Sequence, residues 1–99
     1  MDKYHRRHER IPYNEKIVIN DSLTVRAIKI SEGGLYVITG NNFSPREMVK
    51  VSLPYKNEKI EVKARVKHAH KGVGLGLVFI DLDNALKTKI KELIEDIKK

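Results

Sequence analysis

The chain has 99 residues, 40% of them hydrophobic, with four tyrosines, two phenylalanines and no cysteine. That length makes one domain able to bury roughly two-thirds of its unfolded surface, and the missing cysteine excludes disulfide frameworks, thiolate zinc sites and cysteine nucleophiles together. Twenty Lys and Arg against 13 Asp and Glu give a formal net charge of +7, an excess that suits an anionic partner (nucleotide, nucleic acid or membrane surface) or serves solubility alone.

Residues 1–10 are nearly all polar and read as an exposed, mobile arm, with a single domain expected over 11–99. The arm has charge but no apolar run, so no secretory signal is expected. No stretch approaches the roughly 20 apolar residues of a membrane-spanning helix, and a cytoplasmic location is the expectation. Ile11-Pro12 closes the arm, because proline fixes its own φ and pushes its predecessor towards an extended shape. Lys16 to Asn20 is a short strand, Asp21-Ser22 a turn, and a second strand runs from about Leu23 to Ile30. Its parity changes near Ala27-Ile28, which predicts a bulge or a strand buried on both faces.

Ser31 to Gly34 makes the next turn, and Leu35 to Thr39 returns as a third strand. Gly40 to Pro45 is a loop by composition. Val49, Val51 and Leu53 define a fourth strand closed by Pro54. Ile60, Val62, Ala64, Val66 and His68 alternate with charged residues, so this fifth strand is expected to present all five to the core. Lys71-Gly72 turns the chain into a sixth strand, Val73 to Ile80. From Asn84 the period changes: Leu86, Ile90, Leu93, Ile94 and Ile97 share one helical stripe, and Asp83 is the expected N-cap. Six short antiparallel strands and one amphipathic helix predict a mainly β domain, a small closed barrel with the helix packed outside.

Two short motifs carry the chemistry. Arg6, Arg7 and Arg10 offer planar donor forks suited to phosphate oxygens and to the O6/N7 edge of guanine. Ser31, followed by Gly33 and Gly34, offers a hydroxyl and a backbone that a flat ligand can approach closely, although a tight turn between strands would want the same glycines.

In this order and within this strand pattern, the residues resemble the PilZ domain, a bacterial cyclic di-GMP receptor module. Arg6 and Arg10 match the family's R-x-x-x-R, with Arg7 as the frequent doubled arginine. Lys29-Ile30-Ser31-Glu32-Gly33-Gly34 aligns with [D/N]-x-S-x-x-G, except that Lys29 stands where the family has Asp or Asn. Gly74 to Asp81 and the helix also resemble the usual end of the domain.

The resemblance implies a six-stranded antiparallel barrel whose arm closes over one cyclic di-GMP or an intercalated pair. Arg6, Arg7 and Arg10 would then grip phosphates and guanine faces, with Ser31, Gly33 and Gly34 on the other side. Lysine has no acceptor for guanine's N1–H and N2–H, so Lys29 would reach a phosphate or O6/N7, or point away. The implied function is a stand-alone cyclic di-GMP receptor or adaptor that passes a ligand-dependent change to an unidentified effector protein. The alternative is a degenerate module that binds protein and no nucleotide.

Other readings are weaker. His68 and His70 are expected on opposite faces of their strand, unable to chelate one metal together, and no metal or cofactor is expected. No nucleophile, base and orienting acid assemble by spacing, so no enzymatic activity is expected. Single-stranded nucleic acid would need surface aromatics beside the positive groove, for which Tyr36 and Tyr55 are the strand-side candidates.

Overall fold

The computed structural model of the chain describes residues 9–99. Its elements are β1 (Ile11–Ile19), β2 (Leu23–Ser31), β3 (Gly34–Ile38), β4 (Met48–Tyr55), β5 (Glu58–His70), β6 (Gly74–Ile80) and α1 (Asn84–Lys98). The strands close in the order β1-β2-β3-β6-β5-β4, each antiparallel to its neighbours. The expected mainly β barrel with one C-terminal helix is therefore what the chain forms. None of the described helices is long and apolar enough to cross a membrane.

Alternation along the strands fills the barrel. Ile17, Ile19, Ala27, Val37, Val51, Leu53, Ala64 and Val66 are essentially inaccessible and share one interior. The helix adds Ile90, Leu93 and Ile94 to that core, with Leu86 and Ile97 packed at its margin, the stripe expected from the sequence. Asp83 caps it as expected: the carboxylate accepts from the Leu86 N–H at 2.8 Å, satisfying one of the helix's orphan donors.

Bulges set which side chains reach the outside. One lies between Ala27 and Lys29 of β2, where the parity change predicted it. Another, between Pro12 and Glu15 of β1, holds Asn14 at φ 60°, and its side-chain oxygen accepts from Arg26 at 2.9 Å. β1 begins at Ile11, earlier than expected. Pro12 is tolerated because β1 pairs with β4 only through Val18 and Ile19, so its first half is a strand edge where a missing N–H costs no ladder bond. Asn20 extends the seam: its N–H donates to the Lys50 carbonyl at 2.8 Å, and its side-chain oxygen accepts from the Lys50 N–H at 2.9 Å. Pro54 does not close β4, which continues to Tyr55 opposite Glu58.

A third bulge, between Val66 and His68 of β5, overturns one expectation, and ordinary strand geometry overturns another. The extra residue shifts the pleat by one, so Val66 is buried while His68 and His70 are exposed. His68 is thus not a core residue. The two histidines also share a face, as residues two apart in a strand do, and their rings stack with centroids 6.4 Å apart and an interplanar angle of 19°.

Candidate ligand-binding cleft

A cleft of about 1440 Å³ opens on the barrel's outer surface, between the β2–β3 turn, β6, the end of β5 and the first half of α1. It exceeds the roughly 300–1,000 Å³ of an ordinary small-molecule site, leaving room for a large ligand or a pair. Arg10, Lys29, Ser31, Gly33 and Gly34 all line it. Five of the seven residues singled out in the sequence therefore meet at one place. Arg6 and Arg7 lie outside the described residues.

The turn is fixed by local bonding. Ser31 pairs with Gly34 at the end of the β2–β3 ladder. Its buried side-chain oxygen accepts from the Gly33 N–H at 3.1 Å, and the Gly33 carbonyl accepts from the Phe79 N–H of β6 at 2.9 Å. The serine thus holds the turn shape and keeps its hydroxyl hydrogen to donate. Gly34 is required by packing, since a Cβ there would run into the Leu77 carbonyl oxygen of the neighbouring strand. Lys29 is exposed on β2, between Pro12 of β1 and Tyr36 of β3.

The wall away from the turn was not found from the sequence. Tyr36, His68 and His70 line it over Gly76 of β6. The Tyr36 hydroxyl and His70 Nδ1 are 3.0 Å apart, and the two rings lie 6.0 Å apart at 44°. By sequence Tyr36 reads only as a strand-side aromatic. The same-face spacing of His68 and His70 was the signal available for the histidines. From α1, Lys87 and Lys91 reach the cleft, four residues apart on one helix face.

Electrostatically the cleft is basic. Arg10, Lys29, Lys67, Lys87 and Lys91 line it against the carboxylates of Glu9 and Glu32. Glu9 is partly engaged, 3.6 Å from the Lys98 ammonium. Such a concave surface of one dominant sign concentrates anions. Among the described residues no group of three or more metal donors is found. Burial, reinforced by the nearby Glu15 charge, raises the Tyr13 phenol to about 12. The hydrogen bond to Lys50 lowers Asp21.

A family model described as the PilZ domain matches residues 4–96. No curated protein matches the sequence. Among solved structures, the PilZ domain of CeSA from a cellulose-synthesizing bacterium superposes with a TM-score of 0.71 at 18% identity, covering 92% of this chain and 99% of its own. The Bacillus subtilis inhibitor of motility (MotI/DgrA) gives 0.74 at 18% identity, covering 95% of this chain and 52% of its own. Escherichia coli YcgR in complex with c-di-GMP gives 0.75 at 13% identity, covering 94% and 46%. The chain thus spans about half the length of the latter two proteins and shares their barrel fold.

Proposed function

The chain belongs to the PilZ domain family, and on that premise we propose that it is a cyclic di-GMP receptor or adaptor acting in the cytoplasm without enzymatic activity. The observation that carries this reading is the meeting of Arg10, Lys29 and the Ser31–Gly34 turn in one large, cation-lined cleft. The ligand offers two phosphates and two guanine faces. Guanidinium groups pair with the first and stack on the second. Arg10 supplies one such group, and Arg6 and Arg7 supply others when the segment ahead of Ile11 closes over the ligand. Ser31 donates its hydroxyl hydrogen, and Gly33 and Gly34 keep the turn low. The ligand is one cyclic di-GMP or an intercalated pair. Closure changes the surface beside β1, which an effector protein reads.

Isothermal titration of the full chain with cyclic di-GMP is the test. Saturable heat is expected, and it is lost in Arg10→Ala with the fold retained. No heat from folded wild type at high ligand concentration overturns the reading. Hydrogen exchange should show residues ahead of Ile11 gaining protection with ligand.

One observation favours a second reading, a protein-binding barrel without nucleotide. Lys29 lines the cleft and supplies no acceptor for guanine's donor edge. On this reading wild type binds no cyclic di-GMP, and Lys29→Asp creates binding.

A further inference from the structure

We infer that Glu32 is the base-specifying residue of this cleft, taking over the acceptor role that an Asp or Asn at position 29 would fill; the inference rests on the receptor reading above. Guanine presents two adjacent donors, N1–H and N2–H, and only an acceptor can read them. Arg10, Lys29, Lys67, Lys87 and Lys91 bring donors alone. Two carboxylates line the cleft, Glu9 and Glu32. Glu9 faces the Lys98 ammonium at 3.6 Å, at the far end of α1. Glu32 is exposed and forms no ion pair among the described residues.

The backbone of Glu32 is also held in place. Ser31 before it is fixed by its pairing with Gly34 and by the bond it accepts from the Gly33 N–H. Gly33 after it is tied to Phe79, and Gly34 is packed against the Leu77 carbonyl. The carboxylate therefore projects from a rigid turn, so little ordering is left to pay at binding beyond its own rotamers. Its two oxygens match N1–H and N2–H side by side, as charge-assisted hydrogen bonds. Lys29, on the strand leading into the turn, is then free to meet a phosphate or the O6/N7 edge. The two residues divide between them what a purine offers: donors go to Glu32, acceptors and charge to Lys29.

The test compares cyclic di-GMP with cyclic di-IMP, which lacks the N2 amino group and is otherwise the same, in full-length wild type and in Glu32→Gln. Gln keeps the size of the side chain and replaces one acceptor oxygen by a donor. Removing a negative charge from a basic cleft shifts both ligands alike, so the ratio of their affinities isolates base reading. Wild type is expected to prefer cyclic di-GMP by roughly tenfold or more, the worth of one hydrogen bond to a charged group. Glu32→Gln is expected to bring the ratio close to one, and adding Lys29→Asp to that variant to restore it. Discrimination that is absent in wild type, or undiminished in Glu32→Gln, overturns the role of Glu32 and leaves the receptor reading standing. Failure of wild type to bind either ligand overturns the receptor reading, and this inference with it.

Discussion

The Tyr36 hydroxyl of β3 meets His70 Nδ1 of β5 at 3.0 Å, reaching across the whole width of β6. Two side chains on strands that are not neighbours can touch only if the strand between them is low. Gly74 makes it so: a Cβ there would stand 2.8 Å from the Tyr36 hydroxyl oxygen and would also run into the Val37 carbonyl oxygen. The next glycine along the same face is different, since a Cβ at Gly76 would meet its nearest neighbour, a His68 ring carbon, at 3.6 Å.

Gly74→Ala is therefore expected to destabilise the fold by about 1–3 kcal/mol, the usual cost of forcing extra atoms into a packed site. Gly76→Ala is expected to be neutral or stabilising by a few tenths, since the contact is ordinary and alanine restricts the unfolded chain. Urea denaturation of the two variants side by side checks the contrast. Equal stabilities would refute it.

Tyr13 makes the fold sensitive to alkali. Its phenol titrates near 10.0 in the unfolded chain and about 12 in the folded one, because burial and the Glu15 charge oppose ionisation. The folded state then holds the proton more tightly, so its contribution is fully present below pH 10 and is lost as pH rises through 12. The loss amounts to roughly 1–3 kcal/mol, taking 1.4 kcal/mol per unit and allowing for relaxation. In thermal melts between pH 8 and about pH 12, the difference between Tyr13→Phe and wild type should stay constant at first and widen at the alkaline end.

The same hydroxyl is buried with no hydrogen-bond partner among the described residues. Tyr13→Phe at pH 7 is accordingly expected to leave stability unchanged or raise it by up to about 1 kcal/mol, since an unpaired buried hydroxyl is a cost. Chemical denaturation at neutral pH measures this directly. A clear loss would mean that the hydroxyl has a partner.

Asp83→Ala removes the acceptor for the Leu86 N–H and should cost about 1 kcal/mol. Asp83→Asn keeps an acceptor and should cost much less. Because Ile90, Leu93 and Ile94 join the barrel core, loosening the helix start should lower the midpoint of the whole cooperative transition, followed by circular dichroism.

Arg10→Lys keeps the charge in the cleft and loses the planar fork. Affinity for cyclic di-GMP should fall by about tenfold, while the weakening with added salt persists, because screening acts on charge and not on fork geometry. Titrations at two ionic strengths separate the two effects. An unchanged affinity would show that Arg10 acts as a point charge only.

Much of the barrel was legible because each strand buries alternate side chains and the helix keeps its own period. The bulge at Ala27 to Lys29 could be read because apolar residues stand on both sides of the slip. The bulge in β5 could not: it flips only the strand's last few residues, and a histidine suits either face. Pro12 and Pro54 look like strand ends from local rules, yet they sit where a neighbour's ladder bond is not required or the hairpin is ending. In the cleft, Ser31 and the glycines were legible as a turn. That Gly34 is demanded by the Leu77 carbonyl, and that Lys87 and Lys91 of the helix face the same space, depends on closure of the barrel, which no local pattern encodes.

The short seam between β1 and β4 bears on how the protein behaves when crowded. The unpaired half of β1 is a stretch of exposed backbone that another chain's strand could join, and Pro12, the bulged Asn14, Glu15 and Lys16 all fall on or beside it. Each is a known deterrent to such pairing: one lacks a donor, one bends the strand, and two carry charge. The residues that lead from Arg10 into the fold thus run along a guarded border, whose chemistry works against pairing with a strand of another chain.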